Sequence, residues 1–172
     1  LARRGAVDVA RDIGQLLQNG LEELTLTTNA SRLRDHAKGL RDAGIERINI
    51  SLDTRDPDKF SHVTRLGNLT RVLDGIAAAK DAGFRIKINM VALNGLNDQE
   101  ILPMLEWCAE QGFDLSLIET MPLGMIDEDR TDRFLPLTRV QDDIAARYTL
   151  IPSAHRTGGP ARYWHVQELG NR

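Results

Sequence analysis

The sequence predicts an α/β fold: a partial (β/α) barrel of the TIM-like kind, about four parallel strands with helices on the outside, plus a small C-terminal tail. Three observations carry this prediction. Four helix-like stretches each run into a glycine, at Gly20, Gly44, Gly83 and Gly112, where a left-handed backbone meets no Cβ clash and a helix ends. Each glycine is followed by a short run rich in β-formers. In the first three runs apolar and polar residues alternate, the period-2 pattern of a sheet with two unlike faces.

The four runs are Glu23 to Asn29, Arg47 to Asp53, Arg85 to Leu93 and Asp114 to Met121. Between them Leu33, Ala37 and Leu40, then Leu69, Val72, Leu73, Ile76 and Ala77, follow helical spacing. A third helix, near Glu100 to Glu110, carries Met104, Leu105, Cys108 and Ala109, and Pro103 fits it only in the first turn. Strands alternating with helices of this length predict parallel pairing, because a parallel crossover needs the length of a helix. An open sheet covered on both faces would have strands apolar throughout. Here Leu24 and Leu26, then Ile48, Ile50 and Leu52, then Ile86, Ile88 and Met90 share one parity. The other holds Thr25, Thr27, Asn29, Asn49, Ser51, Asp53, Lys87 and Asn89. That is a helix-covered outside and a polar lumen. The fourth run fits less well, since Leu115, Leu117, Glu119 and Met121 all take the inward parity.

After Met121 comes a polar loop, then a helix predicted from about Leu137 to Arg147 and a turn-rich tail. In the tail 148–151 and 161–166 are able to pair as an antiparallel ribbon. Residues 1–125 therefore form the predicted barrel portion, and 126–172 a loop, helix and tail.

Composition narrows the class. The 172 residues are 41% hydrophobic and 27% charged, which predicts one soluble globular domain and not a disordered chain. No apolar run reaches the roughly 18 to 20 residues of a membrane span, and no signal peptide is read, so a cytoplasmic location is the default. A net charge of -3 gives no electrostatic footprint for nucleic acid. One cysteine, Cys108, excludes an intrachain disulfide and any cluster needing several thiolates from this chain. The chain opens on Leu1 and closes on Asn171-Arg172 without an ending element, the look of a piece of a longer protein.

Ligands of parallel sheets and barrels bind at the carboxyl ends of the strands, so Thr27, Asn29, Ser51, Asp53, Lys87, Asn89, Glu119 and Met121 are expected at one mouth. A lone lysine among Asn, Ser and Thr suits a phosphate. Spacing equally allows Lys87 to form a structural ion pair with Asp53 or Glu119. Four strands do not close a barrel of about eight, so at least one edge is open for partner strands or self-association.

The strand ends spell Leu26-Thr27-Thr28-Asn29, Arg47-Ile48-Asn49-Ile50-Ser51-Leu52-Asp53, Ile86-Lys87-Ile88-Asn89 and Ile118-Glu119-Thr120-Met121-Pro122-Leu123-Gly124. Leu1-Ala2-Arg3-Arg4 precedes them and Thr157-Gly158-Gly159-Pro160-Ala161-Arg162-Tyr163 follows. In this order they resemble the MoaA-type GTP 3',8-cyclases of molybdenum cofactor biosynthesis, radical S-adenosylmethionine (SAM) enzymes. The resemblance implies a barrel of the radical SAM type and two 4Fe-4S clusters, one of which cleaves SAM to a 5'-deoxyadenosyl radical. That radical takes hydrogen from C3' of GTP, and the ribose radical closes on C8 to give 3',8-cyclo-7,8-dihydro-GTP. By motif match Thr27 and Lys87 contact GTP, Lys87 near the phosphates, while Ser51 and Met121 contact SAM.

Departures from the pattern are equally informative. The Cys-x3-Cys-x2-Cys loop is absent, as are the Gly-Gly-Glu-Pro loop and the C-terminal cysteines, so no cluster is expected in this chain and the chain alone is expected to be inactive. Ala30 stands where the family usually has glycine, and Ser116 where many members have arginine. Other readings of the same residues are a different radical SAM or TIM-like lyase acting on a phosphorylated substrate, and a non-catalytic nucleotide-binding or interaction domain. Cys108, on the apolar side of its helix, reads as a buried small hydrophobe. His36, His62, His155 and His165 lack metal-ligand spacing. Arg156, Gly158, Gly159 and Arg162 fit a small anion site or a plain turn equally well.

Overall fold

A computed structural model of the chain describes residues 5–65, 67–120, 133–155 and 160–170. Met121, the segment 1–4, the polar loop through 132 and residues 156–159 of the predicted anion site lie outside the described residues. Four strands, β1 (Thr25–Thr28), β2 (Arg47–Ser51), β3 (Arg85–Ala92) and β4 (Asp114–Glu119), form one sheet in the order β1-β2-β3-β4. β1 pairs parallel with β2, and β2 with β3. With helices alternating between the strands, this is the α/β architecture expected of a partial barrel, and the described strands close no barrel. The chain divides into two compact units, Leu1–Asn89 and Met90–Arg172.

In the first unit α1 (Ala6–Gly14) runs through a 3-10 turn, Gln15–Asn19, to Gly20 at φ 101°. α2 (Leu33–Asp42) and α4 (Leu69–Asp81) are the crossovers, and they pack on each other. Gly44, Gly83 and Gly112 also have positive φ, so all four helix-stop glycines occupy the left-handed region. Burial follows the sequence parity. Ile48, Ile50, Leu52 and Ile88 are fully buried with Leu33, Ala37, Leu40, Val72, Ile76 and Ala79 of the helices, and each large side chain contributes about 1.5–3 kcal/mol by leaving water. The opposite face keeps Thr25, Thr27 and Ser51 exposed and Asn49, Lys87 and Asn89 half-buried.

One helix was not legible as a hydrophobic pattern. α3 (Pro57–Thr64) buries only Phe60, and its start is chemical: Asp56 accepts from the backbone N–H of Asp58 and Lys59, both at 2.9 Å, with Pro57 in the first turn. The first strand begins two residues later than its β-rich run, at Thr25, which pairs with Arg47, the first residue of β2; Glu23 just before it pairs with Arg47 at 2.7 Å and Arg85 at 3.4 Å.

The turn after β1 stands directly on α4. Ala30 is fully buried at φ 58°, a conformation that costs a non-glycine residue about 1–2 kcal/mol. Its carbonyl accepts from Leu33 N at 2.9 Å, and a Cβ at Gly75 would collide with that same oxygen. The glycine is therefore a close-approach residue and not a helix breaker.

The second unit holds α5 (Ile101–Gln111), α6 (Leu137–Ala145) and an antiparallel ribbon of β5 (Leu150–Pro152) with β6 (Trp164–Val166). Pro103 sits in the first turn of α5, and Cys108 is fully buried beside Met104 and Leu105 on its inner face. Asn97, also fully buried, closes the β3–α5 connection by accepting from Leu93 N and donating to Val91 O, both at 2.8 Å. β4 has no buried residue, which is why its parity was ambiguous. The ribbon is fastened by Glu168, whose carboxylate accepts from Thr149 N at 2.9 Å and Thr149 Oγ1 at 2.6 Å. Those donors hold Glu168 below the ordinary carboxylate range. Tyr148 donates to Glu106 at 2.6 Å, and that bond, with burial, raises its phenol.

Gly75→Ala is expected to destabilise the chain by about 1–3 kcal/mol in denaturant melts, because the collision with a backbone carbonyl outweighs the ~1 kcal/mol gain in helix propensity. For Glu168 the depressed folded-state pKa gives stability that is present above the ordinary carboxylate value and lost as pH falls through the folded one. Glu168→Gln should therefore melt lower than wild type at neutral pH, and thermal melts over a pH series should converge in acid.

Candidate functional site

The strand register assembles the polar face. Thr27 stands opposite Asn49, and Asn49 opposite Lys87, so three strands contribute one transverse row. The next row toward the carboxyl ends pairs Ser51 with Asn89. Within the first row Asn49 Nδ2 donates to Thr27 Oγ1 at 3.4 Å. The carbonyl oxygens of Asn49 and Asn89 are shielded from solvent and have no hydrogen-bond partner. Lys87 is half-buried, and none of the ion pairs among the described residues includes it. The ion pair with Asp53 that spacing allowed is not among them.

A cation held in a half-buried row of neutral polar groups favours an anion, since neutral dipoles do not offset the charge and water is partly displaced. Buried acceptors without donors add a second preference, for N–H or O–H groups, because each orphan costs about 1–3 kcal/mol until filled.

Beyond the strand ends the loops bend around a cavity of about 550 Å³, lined among others by Asn29, Ser51, Asp53, Phe60, Arg32 and Arg71. Asn29 spends its carbonyl locally, accepting from Ser31 N at 3.2 Å and Ser31 Oγ at 2.9 Å, so it shapes the loop mouth. Thr54, 1% exposed, accepts from Asp56 N and fixes the turn that carries Asp53 to α3. The cavity thus has one wall with hydroxyl, carboxylate and amide groups and another with the Phe60 ring, which suits a sugar and a flat ring. Sequence reasoning missed Arg32 and Arg71. The signal for Arg71 was the Asn68 N-cap three residues earlier, which fixes where α4 starts.

Glu119 lies in the second unit, where its carboxylate accepts from Leu137 N at 2.8 Å and so caps α6. Met121 lies outside the described residues. Thr27, Asn29, Ser51, Asp53, Lys87 and Asn89 all belong to the first unit; the first four stand at or just past the ends of β1 and β2, whereas Lys87 and Asn89 lie inside β3, which runs on to Ala92. Among the described residues no group of three or more His, Cys, Asp or Glu is placed to hold a metal ion.

The model of the Radical SAM superfamily matches residues 2–108, more than half of the chain. A protein of Erythrobacter litoralis named GTP 3',8-cyclase is 55% identical over all 172 residues, which cover 52% of its length. Proteins of the same name from Rhizobium etli, 50% identical, and Sinorhizobium medicae, 51% identical, are likewise matched along the whole chain and over 49% and 50% of their own lengths. The chain spans about half the length of the curated relatives it matches. From the family match, together with parallel strands that present a polar face of Thr27, Asn49 and Lys87, we conclude that the chain belongs to the Radical SAM superfamily.

Proposed function

We propose that this chain is the central part of a GTP 3',8-cyclase that converts GTP to 3',8-cyclo-7,8-dihydro-GTP in molybdenum cofactor biosynthesis. The observation that carries the reading is Lys87, a half-buried cation with no ion pair among the described residues, placed in one row with Thr27 on a chain 55% identical throughout to a protein of that name. Lys87 holds the phosphates by charge, and Thr27 adds a hydroxyl contact that orients the nucleotide across the strands. Ser51 and Met121 are the SAM contacts, with Asn29, Asp53, Asn89 and Glu119 as further mouth residues. The hydroxyl, carboxylate and ring surfaces around Ser51 fit a nucleoside of that kind. SAM, when bound, supplies the radical that starts the reaction.

The donor set for the clusters is a different matter. A 4Fe-4S cluster takes its ligands from several cysteine thiolates, and the one cysteine of this chain is fully buried in α5. These residues do not fit a cluster, so both cluster sites belong to other parts of the longer protein and this chain alone is inactive. On the same reading 1–125 is the barrel portion and 126–172 leads toward the second cluster region. The protein is cytoplasmic and binds neither nucleic acid nor membrane. No helix among the described residues is long and apolar enough to cross one. The outer edge of β1 serves as the self-association edge of this chain.

Calorimetric titration of the chain tests the substrate. GTP should bind, and Lys87→Met should weaken it ten- to a hundredfold, the worth of a charge-assisted hydrogen bond of about 1.5–3 kcal/mol. Thermal melting should stay unchanged, since Lys87 has no ion pair among the described residues to lose. Absence of GTP binding by the wild-type chain rejects the reading. Light scattering that gives a monomer at all concentrations rejects the self-associating edge alone.

A further inference from the structure

We infer that Asn49 is a positioning residue, the part that couples Thr27 to Lys87 and sets how both meet the nucleotide. This rests on the GTP reading and adds to it a residue in the middle of the row. Asn49 has one in-register neighbour on each side, Thr27 on β1 and Lys87 on β3. Toward Thr27 it spends its amino group, donating to Oγ1 at 3.4 Å. A hydroxyl whose oxygen already accepts keeps its own proton to donate. Thr27 is thereby set as a donor, matched to a phosphate or carbonyl oxygen of the ligand.

The other half of the amide is the informative one. Asn49 Oδ1 is shielded from solvent and has no partner, a cost that a fold selected for stability alone removes by placing leucine or valine there. The remaining neighbour in the row is an ammonium with three donors and, among the described residues, no ion pair. A phosphate fills one or two of those donors. The Asn49 carbonyl takes another, and holds the ammonium at a fixed height on the sheet while it grips the anion. The reverse amide orientation would set an unpaired NH2 group in that place beside a cation, which electrostatics disfavours.

The test is a double-mutant cycle on the chain, read by GTP calorimetry and thermal melting. Asn49→Leu, similar in size with neither donor nor acceptor, should weaken GTP binding about tenfold, while raising the melting temperature of the free chain by ~2–4 °C as the orphan acceptor is removed. In a Lys87→Met background the same substitution should change affinity less than about twofold, because its partner is gone. A merely structural asparagine would do the opposite: Asn49→Leu would lower the melting temperature, and its effect on binding would add to that of Lys87→Met. Asn49→Asp supplies the second variant. Its carboxylate pairs with Lys87 and competes with phosphate, so GTP should bind more weakly than to Asn49→Leu, and affinity equal to wild type overturns the inference. Wild-type binding of GTP with Asn49→Leu binding equally well removes this inference alone. A wild-type chain that binds no GTP removes the reading beneath it.

Discussion

The rest of the structure depends on the fixed period of a β-strand. Successive side chains point to opposite faces, so a strand whose one parity is isoleucine has no choice about where its other parity goes. Ile48 and Ile50 on β2 and Ile86 and Ile88 on β3 are pressed into the core with the helices by the hydrophobic effect. Lys87 and Asn89 are lifted onto the opposite face as a consequence, at no cost in the core. A shift of β3 by one residue against β2 would turn Ile86 and Ile88 out of the core and bury Lys87, so burial on one face secures the register on the other. The polar row is thus held in register by the apolar face of the same strands.

The helices and turns refine what the strands establish. The glycine stops aim each chain segment into its strand, and the turn after β1 packs on the backbone of α4 through the missing side chain of Gly75. Asp56 and Asn68 cap the two helices that border the cavity near Ser51. Supports of this kind suit a site that must hold a ligand in one pose, since flexibility there would cost orientation.

Much of this was legible in the sequence because it was written in period and punctuation. The four glycines and the alternating parity placed β1, β2 and β3 within a residue or two, and with them the strand positions of Thr27, Ser51 and Lys87, while helical spacing set the crossovers α2 and α4 between them without fixing their ends. What escaped notice lacked periodicity or depended on partners far along the chain. α3 is too short and polar to show a face, and β4 has no buried residue to reveal its inner side. Glu119 counted as an inward carboxylate by parity, yet its carboxylate serves a helix start eighteen residues onward. Asn49 was visible as a polar strand residue, but the isolation of its carbonyl oxygen depends on three-dimensional packing and leaves no trace in spacing.

The contact between Ala30 and Gly75 has a consequence for how such a sequence can drift. The two positions lie 45 residues apart, yet neither is free to vary alone. Position 30 tolerates only residues that accept a left-handed backbone, and position 75 only the absence of a side chain while the carbonyl of residue 30 stays where it is. An enlarged residue at 75 would push the turn outward and carry Asn29 with it. Variation at the pair is thus coupled to the lip of the cavity, and an alanine at 30 is affordable because its methyl group, fully buried, recovers in packing part of what the backbone loses.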